Sequence, residues 1–228
     1  MSQCIFITGT DTEVGKTLVS RALIMALVKR NYRVSGFKPI AAGCEKTEQG
    51  MINEDATALQ QVSNVDLTYT EINPFALVLP TSPHIAAKRE SITIDFDVLD
   101  KNLEQHQRKS DIVVVEGAGG WKVPISDNEF LSTWVNKQKL PVIVVIGIRL
   151  GCLNHAMLTI ESIKNEGLEV LGWVANTVDP SFEFYEENIQ FLEHHISAPK
   201  LAEIPYLTKQ DMMNVGQYID LGMLKLRD

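Results

Sequence analysis

The stretch GTDTEVGKT (residues 9–17) decides the fold, because it ends like a phosphate-binding loop but has an unusual spacing. The standard loop is G-x-x-x-x-G-K-[ST], which would place its first glycine at position 10, ahead of Gly15, Lys16 and Thr17. Position 10 is Thr, and the glycine stands one place earlier, at Gly9. The stretch is therefore either a nucleotide loop with a longer entry or an ordinary connection that contains GKT by chance.

The segments on either side of the loop favour a phosphate site. CIFIT (4–8) is typical of a buried strand, and residues 15–29 follow a helical pattern. A loop between a strand and a helix N-terminus offers an anion free backbone N–H groups and the positive end of the helix dipole. The extra residue lengthens only the entry, since residues 13–18 keep their spacing. In this setting Lys16 would meet the β- and γ-phosphates and Thr17 would reach Mg²⁺.

Apolar runs alternate with amphipathic segments along the rest of the chain. The predicted strands are CIFIT (4–8), RVSGFK (33–38), DIVVVEG (111–117), PVIVVIGI (141–148), EVLGWVAN (169–176) and KLAEIP (200–205). The predicted helices include 15–29, 55–62, 96–108, 154–166 and 183–193. This alternation indicates an α/β fold, a mostly parallel sheet flanked by helices, of the P-loop NTPase type. We expect a single domain over residues 1–228, with 39–52 and 64–95 the least regular and functionally most interesting stretches.

Composition excludes several classes of protein. The 228 residues are 45% hydrophobic and 22% charged, which is ordinary for a globular protein. A net charge of −8 argues against nucleic acid or an anionic membrane as the main partner. Cys4, Cys44 and Cys152 are too scattered for a disulfide framework or zinc site, and the longest apolar run (140–148) is too short to span a bilayer. We expect a cytoplasmic protein with reduced thiols, since the first residues show no signal-peptide pattern.

Mg²⁺ requires hard oxygen ligands, and two acidic residues are candidates. Glu116 ends a predicted buried strand in DIVVVEGAGG (111–120), the place where P-loop proteins usually carry a second acidic residue. The following glycines, Gly119 among them, would let the backbone approach a ligand. Asp55, in NEDATALQ (53–60), is either a ligand or a first-turn carboxylate that stabilises its own helix, and both interpretations stay open at this point.

Nine segments together resemble the ATP-dependent dethiobiotin synthetase family over nearly the whole chain. They are GTDTEVGKT (9–17), GFKPIAAG (36–43), NEDA (53–56), NPFALVLPTSPHIAA (73–87), VVEGAGGW (114–121), LPVIVV (140–145), RLGCLNHAMLT (149–159), GWVANTV (172–178) and EIPYL (203–207). The longer loop entry is itself a feature of that family. The resemblance implies a homodimeric ligase of biotin biosynthesis. It would convert 7,8-diaminononanoate, CO₂ and ATP, with Mg²⁺, into dethiobiotin, ADP and phosphate.

The resemblance also implies roles for individual residues. ATP would be bound by Glu13, Val14, Gly15, Lys16, Thr17, Leu18, Glu116, Gly119, Asn176, Pro205, Tyr206 and Leu207, the last four lying near adenine. Mg²⁺ would be held by Thr17, Asp55 and Glu116, which favours the ligand role of Asp55.

Catalysis would depend on Lys38, Lys16 and Thr12. Lys38 would stabilise the carbamate that forms when one substrate amine takes up CO₂; without the resemblance it would be interpreted as a solvated lysine at a strand end. The implied substrate residues are Thr12, Lys38, Ala42, Gly151, Cys152, Leu153 and Asn154. The last four would bring a helix N-terminus to the substrate's tail carboxylate from the partner subunit.

One position departs from the family pattern. The family often has Ser where this chain has Ala42, and the missing hydroxyl would remove one hydrogen bond, worth about 1 kcal/mol, from the substrate. Two alternatives to the synthetase remain. A nucleotide-switch ATPase usually carries an extra lysine early in the loop, where this chain has Asp11, and a binding module without turnover would not need the full set of charged residues.

Overall fold

The computed structural model describes residues 2–48, 50–208 and 211–226, and six parallel strands form its centre. The strands are β1 (Gln3–Gly9), β2 (Val34–Phe37), β7 (Ile112–Gly120), β8 (Val142–Ile148), β9 (Val170–Thr177) and β10 (Lys200–Ile204). They lie in the order β10-β9-β8-β1-β7-β2, and every neighbouring pair is parallel. All six predicted strands are confirmed, and so is the single α/β domain with a parallel central sheet.

Helices cover both faces of this sheet. They are α1 (Lys16–Lys29), α2 (Glu54–Val62), α3 (Tyr69–Ile72), α4 (Pro83–Arg89), α5 (Phe96–Lys109), α6 (Leu131–Lys137), α7 (Cys152–Asn165) and α8 (Tyr185–His195), followed by a 3₁₀ helix (Asp211–Tyr218). Alternate strand residues enter two separate apolar cores. One core packs against α1 and the 3₁₀ helix, and the other packs against α5, α6, α7 and α8. Strands buried on both faces explain the near-continuous apolar runs of the sequence.

The two stretches expected to be irregular contain more regular structure than predicted. Residues 39–52 form the short strands β3 (Ile40–Ala41), β4 (Glu45–Thr47) and β5 (Gly50–Ile52), and residues 64–95 contain α3, α4 and β6 (Phe75–Ala76). These elements are too short to show a period in sequence. The helix predicted at 154–166 begins two residues earlier, and the one predicted at 183–193 lies two residues later. Each helix in the described part of the chain is too short or too polar to traverse a bilayer.

The carboxyl ends of the parallel strands meet at one edge of the sheet, and that edge is irregular beside β1. Ile7 pairs with Glu116, whereas Gly9 pairs with Gly120, so β7 carries two extra residues over this interval. After β1 the chain crosses to β2, which lies with β7 on one side of β1 in the sheet. The later strands β8, β9 and β10 lie on the other side of β1. Open parallel sheets bind ligands at such a reversal of strand order, outside the carboxyl ends.

A buried polar chain joins β2 to α5 and α3. The Ser110 hydroxyl donates to Ser35 Oγ at 2.8 Å, and Ser35 Oγ lies 2.8 Å from His106 Nδ1. His106 Nε2 lies 3.1 Å from the carbonyl oxygen of Glu71, which can only accept, so Nε2 carries the proton and Nδ1 accepts from Ser35. Burial lowers the pKa of His106 to about 4, although the nearby Glu71 opposes this. The imidazole is therefore neutral in the folded protein.

This neutral histidine predicts a pH-dependent stability. In the unfolded chain His106 takes up a proton near pH 6.5, whereas in the folded protein it does so only near pH 4. The stability present at neutral pH is therefore lost as the pH falls from about 6.5 toward about 4. From about pH 8 to about pH 5, we expect His106 to contribute a loss of about 2 kcal/mol in the free energy of unfolding. Urea titrations of wild type and His106→Gln measure it as the difference between their pH slopes. Parallel slopes would contradict a neutral, buried His106.

Candidate active site

The loop between β1 and α1 is wrapped tightly against β9. Gly15 precedes α1 with a φ of 92°, and a Cβ at this position would lie 2.2 Å from Asn176 Nδ2. Both conditions require glycine. Asn176 Nδ2 also donates to the carbonyl oxygen of Val14 at 2.9 Å. No described side chain caps α1, so the backbone N–H groups of its first turn are available to an anion.

Lys16 is buried at the start of α1. Its ammonium donates to the carbonyl oxygen of Asp11 at 2.9 Å. Burial, and then the charge of Lys38, lower the pKa of Lys16 to about 8. The side chain of Asp11 is held in turn, because its carboxylate pairs with Arg149 at 2.7 Å and accepts from the backbone of Thr12 at 2.7 Å. The loop entry is thus tied to the segment that precedes α7.

Four side chains from four elements meet beside Lys16. Lys38 follows β2, Glu116 lies within β7, and Asp55 and Thr17 lie in the first turns of α2 and α1. Lys38 Nζ donates to Glu116 Oε1 at 2.6 Å, to Asp55 Oδ2 at 3.1 Å and to the carbonyl oxygen of Gly117 at 3.1 Å. All three protons of the ammonium group are therefore matched. Long-range parallel pairing creates this cluster, since Lys38 and Glu116 are far apart in sequence.

The central ion pair of this cluster is removed from water. Glu116 is 0% exposed and Lys38 is 3% exposed. Burial alone would lower the pKa of Lys38, but the charges of Glu116 and Asp55 raise it, so the ammonium stays charged. Burial alone would likewise raise the pKa of Asp55, yet Lys38 and the Thr17 hydroxyl lower it. The site therefore holds fixed charges of both signs at the end of the sheet.

The oxygen atoms around Thr17 have the character of a magnesium site. Thr17 Oγ1 lies 2.8 Å from Asp55 Oδ1 and 2.8 Å from Glu116 Oε1, but a hydroxyl has one proton and can donate to only one of them. Glu116 Oε2 is buried without a hydrogen-bond partner. Close oxygen atoms that lack enough protons favour a hard cation. No group of three or more His, Cys, Asp or Glu side chains forms a metal cluster within the described residues.

A cleft of about 1080 Å³ opens over the loop and this cluster. Nine of the twenty predicted site residues line it, namely Thr12, Glu13, Gly15, Lys16, Thr17, Lys38, Ala42, Asp55 and Gly119. Sequence reasoning missed three further parts of its wall: 80–83, 121–123 and the α7 residues Leu158, Thr159 and Ser162. The segment TSPHIAA, which contributes to the family resemblance, was the available signal for the first of these.

The remaining predicted residues do not line the cleft. Val14, Leu18 and the buried Glu116 are not among the lining residues. Residues 151–154 form the start of α7, whereas only its later residues line the cleft. Asn176 and the segment 205–207 lie at the same sheet edge as the loop, because Ile204 pairs with Asn176 and Gly147 pairs with Asn176 on the other side. Tyr206 is exposed there. Asn176 therefore lies against Gly15, and residues 205–207 follow the strand that pairs with β9.

The chain is similar to known proteins over almost its whole length. A family model described as an AAA domain matches residues 3–214. The ATP-dependent dethiobiotin synthetase BioD of Vibrio cholerae is 52% identical over 224 residues, which cover 98% of this chain and 97% of the relative. The enzyme of the same name from Aliivibrio salmonicida is 54% identical, with 98% and 99% covered.

Solved structures are similar in fold. The cell division ATPase MinD of Pyrococcus furiosus aligns with a TM-score of 0.58 at 17% identity, covering 96% of this chain and 98% of that one. The MinC:MinD cell division complex of Aquifex aeolicus aligns with a TM-score of 0.59 at 16% identity, covering 94% and 86%. At such identities the likeness concerns the P-loop fold alone.

The buried ion pair predicts a non-additive effect on stability. Lys38→Met leaves the Glu116 carboxylate buried without its cation, and we expect a loss of about 3 kcal/mol in the free energy of unfolding. Lys38→Met/Glu116→Gln removes that charge as well and is expected to be more stable than the single variant. Urea unfolding measures both. The control is Lys88→Met, which breaks an exposed pair with Asp127 and should cost under about 1 kcal/mol. A double variant no more stable than Lys38→Met would contradict the pairing.

Proposed function

Because the chain belongs to the AAA-domain family and to the ATP-dependent dethiobiotin synthetases, we propose that the cleft over the phosphate loop is the active site of its reaction. The protein is an ATP-dependent ligase of biotin biosynthesis. It closes the ureido ring of dethiobiotin from 7,8-diaminononanoate and CO₂, with ATP converted to ADP and phosphate. The observation that carries the site assignment is that Lys16 and Lys38 reach one cleft beside an oxygen cluster suited to Mg²⁺.

We assign the triphosphate to the loop and the first turn of α1. Residues 13–18 would contribute backbone N–H groups, and Lys16 would move its ammonium from the carbonyl oxygen of Asp11 to the β- and γ-phosphates. Gly119, with a φ of 58° on the cleft wall, would bring backbone close to the nucleotide. Asn176 and residues 205–207 would contact adenine. The support is that Asn176 lies against Gly15 and that residues 205–207 follow β10, which pairs with β9 at Asn176.

We assign Mg²⁺ to Thr17, Asp55 and Glu116. The fit rests on the crowded oxygen atoms and on the unpartnered Oε2 of Glu116. Two carboxylates and a hydroxyl suit an ion that completes its shell with water and phosphate oxygens. When bound, Mg²⁺ would neutralise charge on the transferring phosphoryl group. Lys38 donates to the same two carboxylates, so it balances their charge until a cation takes up that role.

Lys38 is the proposed catalytic residue for the carbamate steps. An uncharged substrate amine attacks the carbon of CO₂ and loses a proton, which gives a carbamate whose negative charge Lys38 stabilises. A carbamate oxygen then attacks the γ-phosphorus and ADP leaves. The second amine attacks the carbonyl carbon of the resulting mixed anhydride, and phosphate leaves as the ring closes. Because reacting groups must be held together, positioning by Lys16, Lys38 and Thr12 accounts for much of the rate.

The substrate's tail carboxylate is assigned to a second copy of the chain. Gly151, Cys152, Leu153 and Asn154 form the start of α7, where a helix N-terminus favours an anion. They do not line the cleft of their own chain, so a homodimer is required for them to contribute. Leu150 beside them is 90% exposed, which suits a covered position between subunits. A cytoplasmic location completes the proposal and is supported by three buried free thiols.

The fold alone would also suit a nucleotide switch, since the solved structures with this fold include cell division ATPases. Asp11 stands where such switches usually carry their extra lysine, and here it holds Arg149 and the Lys16 ammonium. The loop entry therefore favours the synthetase over the switch.

ADP release tests the proposed function directly. We expect the wild-type chain with MgATP to release ADP only when both diaminononanoate and bicarbonate are present, because the carbamate must form before it attacks the phosphate. Dethiobiotin, measured by mass spectrometry, should appear in equal amount. ADP release that is insensitive to both additions would contradict the synthetase and support the switch.

Lys38 provides a residue-level test. Lys38→Met should lower kcat by a factor of about 10³ or more while ATP affinity, measured by calorimetry, changes little, since the lost ammonium acts on the carbamate. Lys88→Met is the matched control and should leave both quantities unchanged. The assay is run at a temperature where melting curves show each variant folded. A Lys38→Met variant that keeps wild-type turnover would rule out the carbamate role.

Ala42 lies on the cleft wall, where the family often has Ser. Ala42→Ser should lower KM for diaminononanoate by about fivefold, because one added hydrogen bond is worth about 1 kcal/mol. The KM for ATP should stay the same and serves as the internal control. Equal effects on both values would place residue 42 away from the substrate.

A further inference from the structure

The segment that contains α3 holds the backbone of Lys38 on both sides. The Lys38 N–H donates to the carbonyl oxygen of Ile72 at 2.9 Å, and the Lys38 carbonyl oxygen accepts from Asn73 Nδ2 at 2.8 Å. Asn73 is 2% exposed, and its amide nitrogen also lies 3.4 Å from the carbonyl oxygen of Phe75. Lys38, which directly follows β2, is thus held by hydrogen bonds at its peptide groups as well as at its ammonium group.

The same segment also holds the start of α2, which carries Asp55. Asn53 caps this helix, because its Oδ1 accepts from the backbone N–H groups of Asp55 at 3.0 Å and Ala56 at 3.3 Å. In a capping box, the third helical residue accepts from the N–H of the cap, but Ala56 has no acceptor for it. Tyr69 provides the missing acceptor, since the Asn53 N–H donates to the Tyr69 hydroxyl at 2.7 Å.

The Tyr69 hydroxyl is the link between these two anchors. It accepts from Asn53 and donates to Asn73 Oδ1 at 3.4 Å, which one hydroxyl can do at the same time. Hydrogen bonds therefore run from the cap of α2 through Tyr69 and Asn73 to the Lys38 carbonyl oxygen. The side chains of Lys38 and Asp55 also meet, at 3.1 Å, so the end of β2 and the start of α2 are joined both through the backbone and through these side chains.

The helix α3, which begins with Tyr69, is itself well anchored. Thr68 and Glu71 form a capping box at the start of α3. The carbonyl oxygen of Glu71 accepts from His106 of α5, and its carboxylate pairs with Lys109 at 3.3 Å. A four-residue helix would be unstable alone, but these contacts tie α3 to the sheet and to α5.

We propose that Tyr69 and Asn73 are positioning residues that set the placement of Lys38 relative to Asp55, and thereby the geometry in which carbamate and phosphoryl group meet. The proposal rests on the proposed function, because it takes Lys38 and Asp55 as members of the reacting site. Tyr69 does not line the cleft itself, and removing its hydroxyl frees Asn53, the cap of α2 on the cleft wall, from the link to Lys38. Turnover then falls through misplacement, whereas binding of ATP to the loop is maintained.

The test is a pair of variants and a matched control. Tyr69→Phe removes only the hydroxyl, and we expect kcat to fall about tenfold with KM for ATP within about twofold of wild type. Ser63→Ala is the control. It removes a side chain at the far end of α2 that accepts from Gly36 at 2.9 Å and donates to Leu59 at 2.7 Å. It should lower the melting temperature without lowering kcat, when assayed where all variants are folded.

A double-variant cycle separates positioning from general weakening. Because Tyr69 acts on Lys38 through Asn73, adding Tyr69→Phe to Asn73→Ala should lower kcat no further. Additive losses, an unchanged kcat in Tyr69→Phe, or an equal loss in Ser63→Ala would each overturn the proposal. A wild-type chain whose ADP release ignores diaminononanoate and bicarbonate would overturn the proposed function along with it. If the wild-type chain requires both additions, the proposed function stands and the variants alone decide the positioning role.

Discussion

The buried carboxylate of Glu116 is the group on which the arrangement of the site depends. A fully buried charge is tolerated only when it is paired and hydrogen-bonded, and Lys38 supplies both, with Thr17 Oγ1 in contact at 2.8 Å. Lys38 follows β2 and Thr17 lies in α1. Their contacts with this one carboxylate therefore hold the end of β2 and the start of α1 against β7. Asp55 joins the group through Lys38 and brings α2 with it. The four-residue cluster is therefore both a structural junction and the place where charge is concentrated.

The parallel sheet explains why this junction opens into a cleft. All six strands end at one edge, and there the loop after β1 leaves free N–H groups at the start of α1. The proposed anion and cation sites then lie next to each other, as phosphoryl transfer requires. The wall opposite is built from the loop before α4, the turn after β7 and one face of α7. In the proposed function, this wall provides the room for a second substrate beside the nucleotide.

Much of the fold and of the proposed nucleotide side of the site could be read from the chain. The apolar runs predicted all six strands because residues buried on both faces must be apolar. The sequence also placed the GKT loop between a strand and a helix, which the structure confirms. The structure alone shows that a side chain at Gly15 would collide with Asn176. The short helices α3, α4 and α6 were not predicted, because a single turn or two carries no readable period. Their contribution was missed with them, including the hold of α3 on Lys38.

The sequence by itself determined the alternation of strands and helices, the phosphate loop and the family resemblance. These follow from local patterns of burial and from the residues that a tight loop requires. Only the tertiary structure decided that Lys38, Asp55, Glu116 and Thr17 touch, and that Tyr69 and Asn73 connect two of them through the backbone. The physical reason is that such contacts join residues distant in the chain. They exist only once strand order and register have placed the elements side by side, and no local pattern records them.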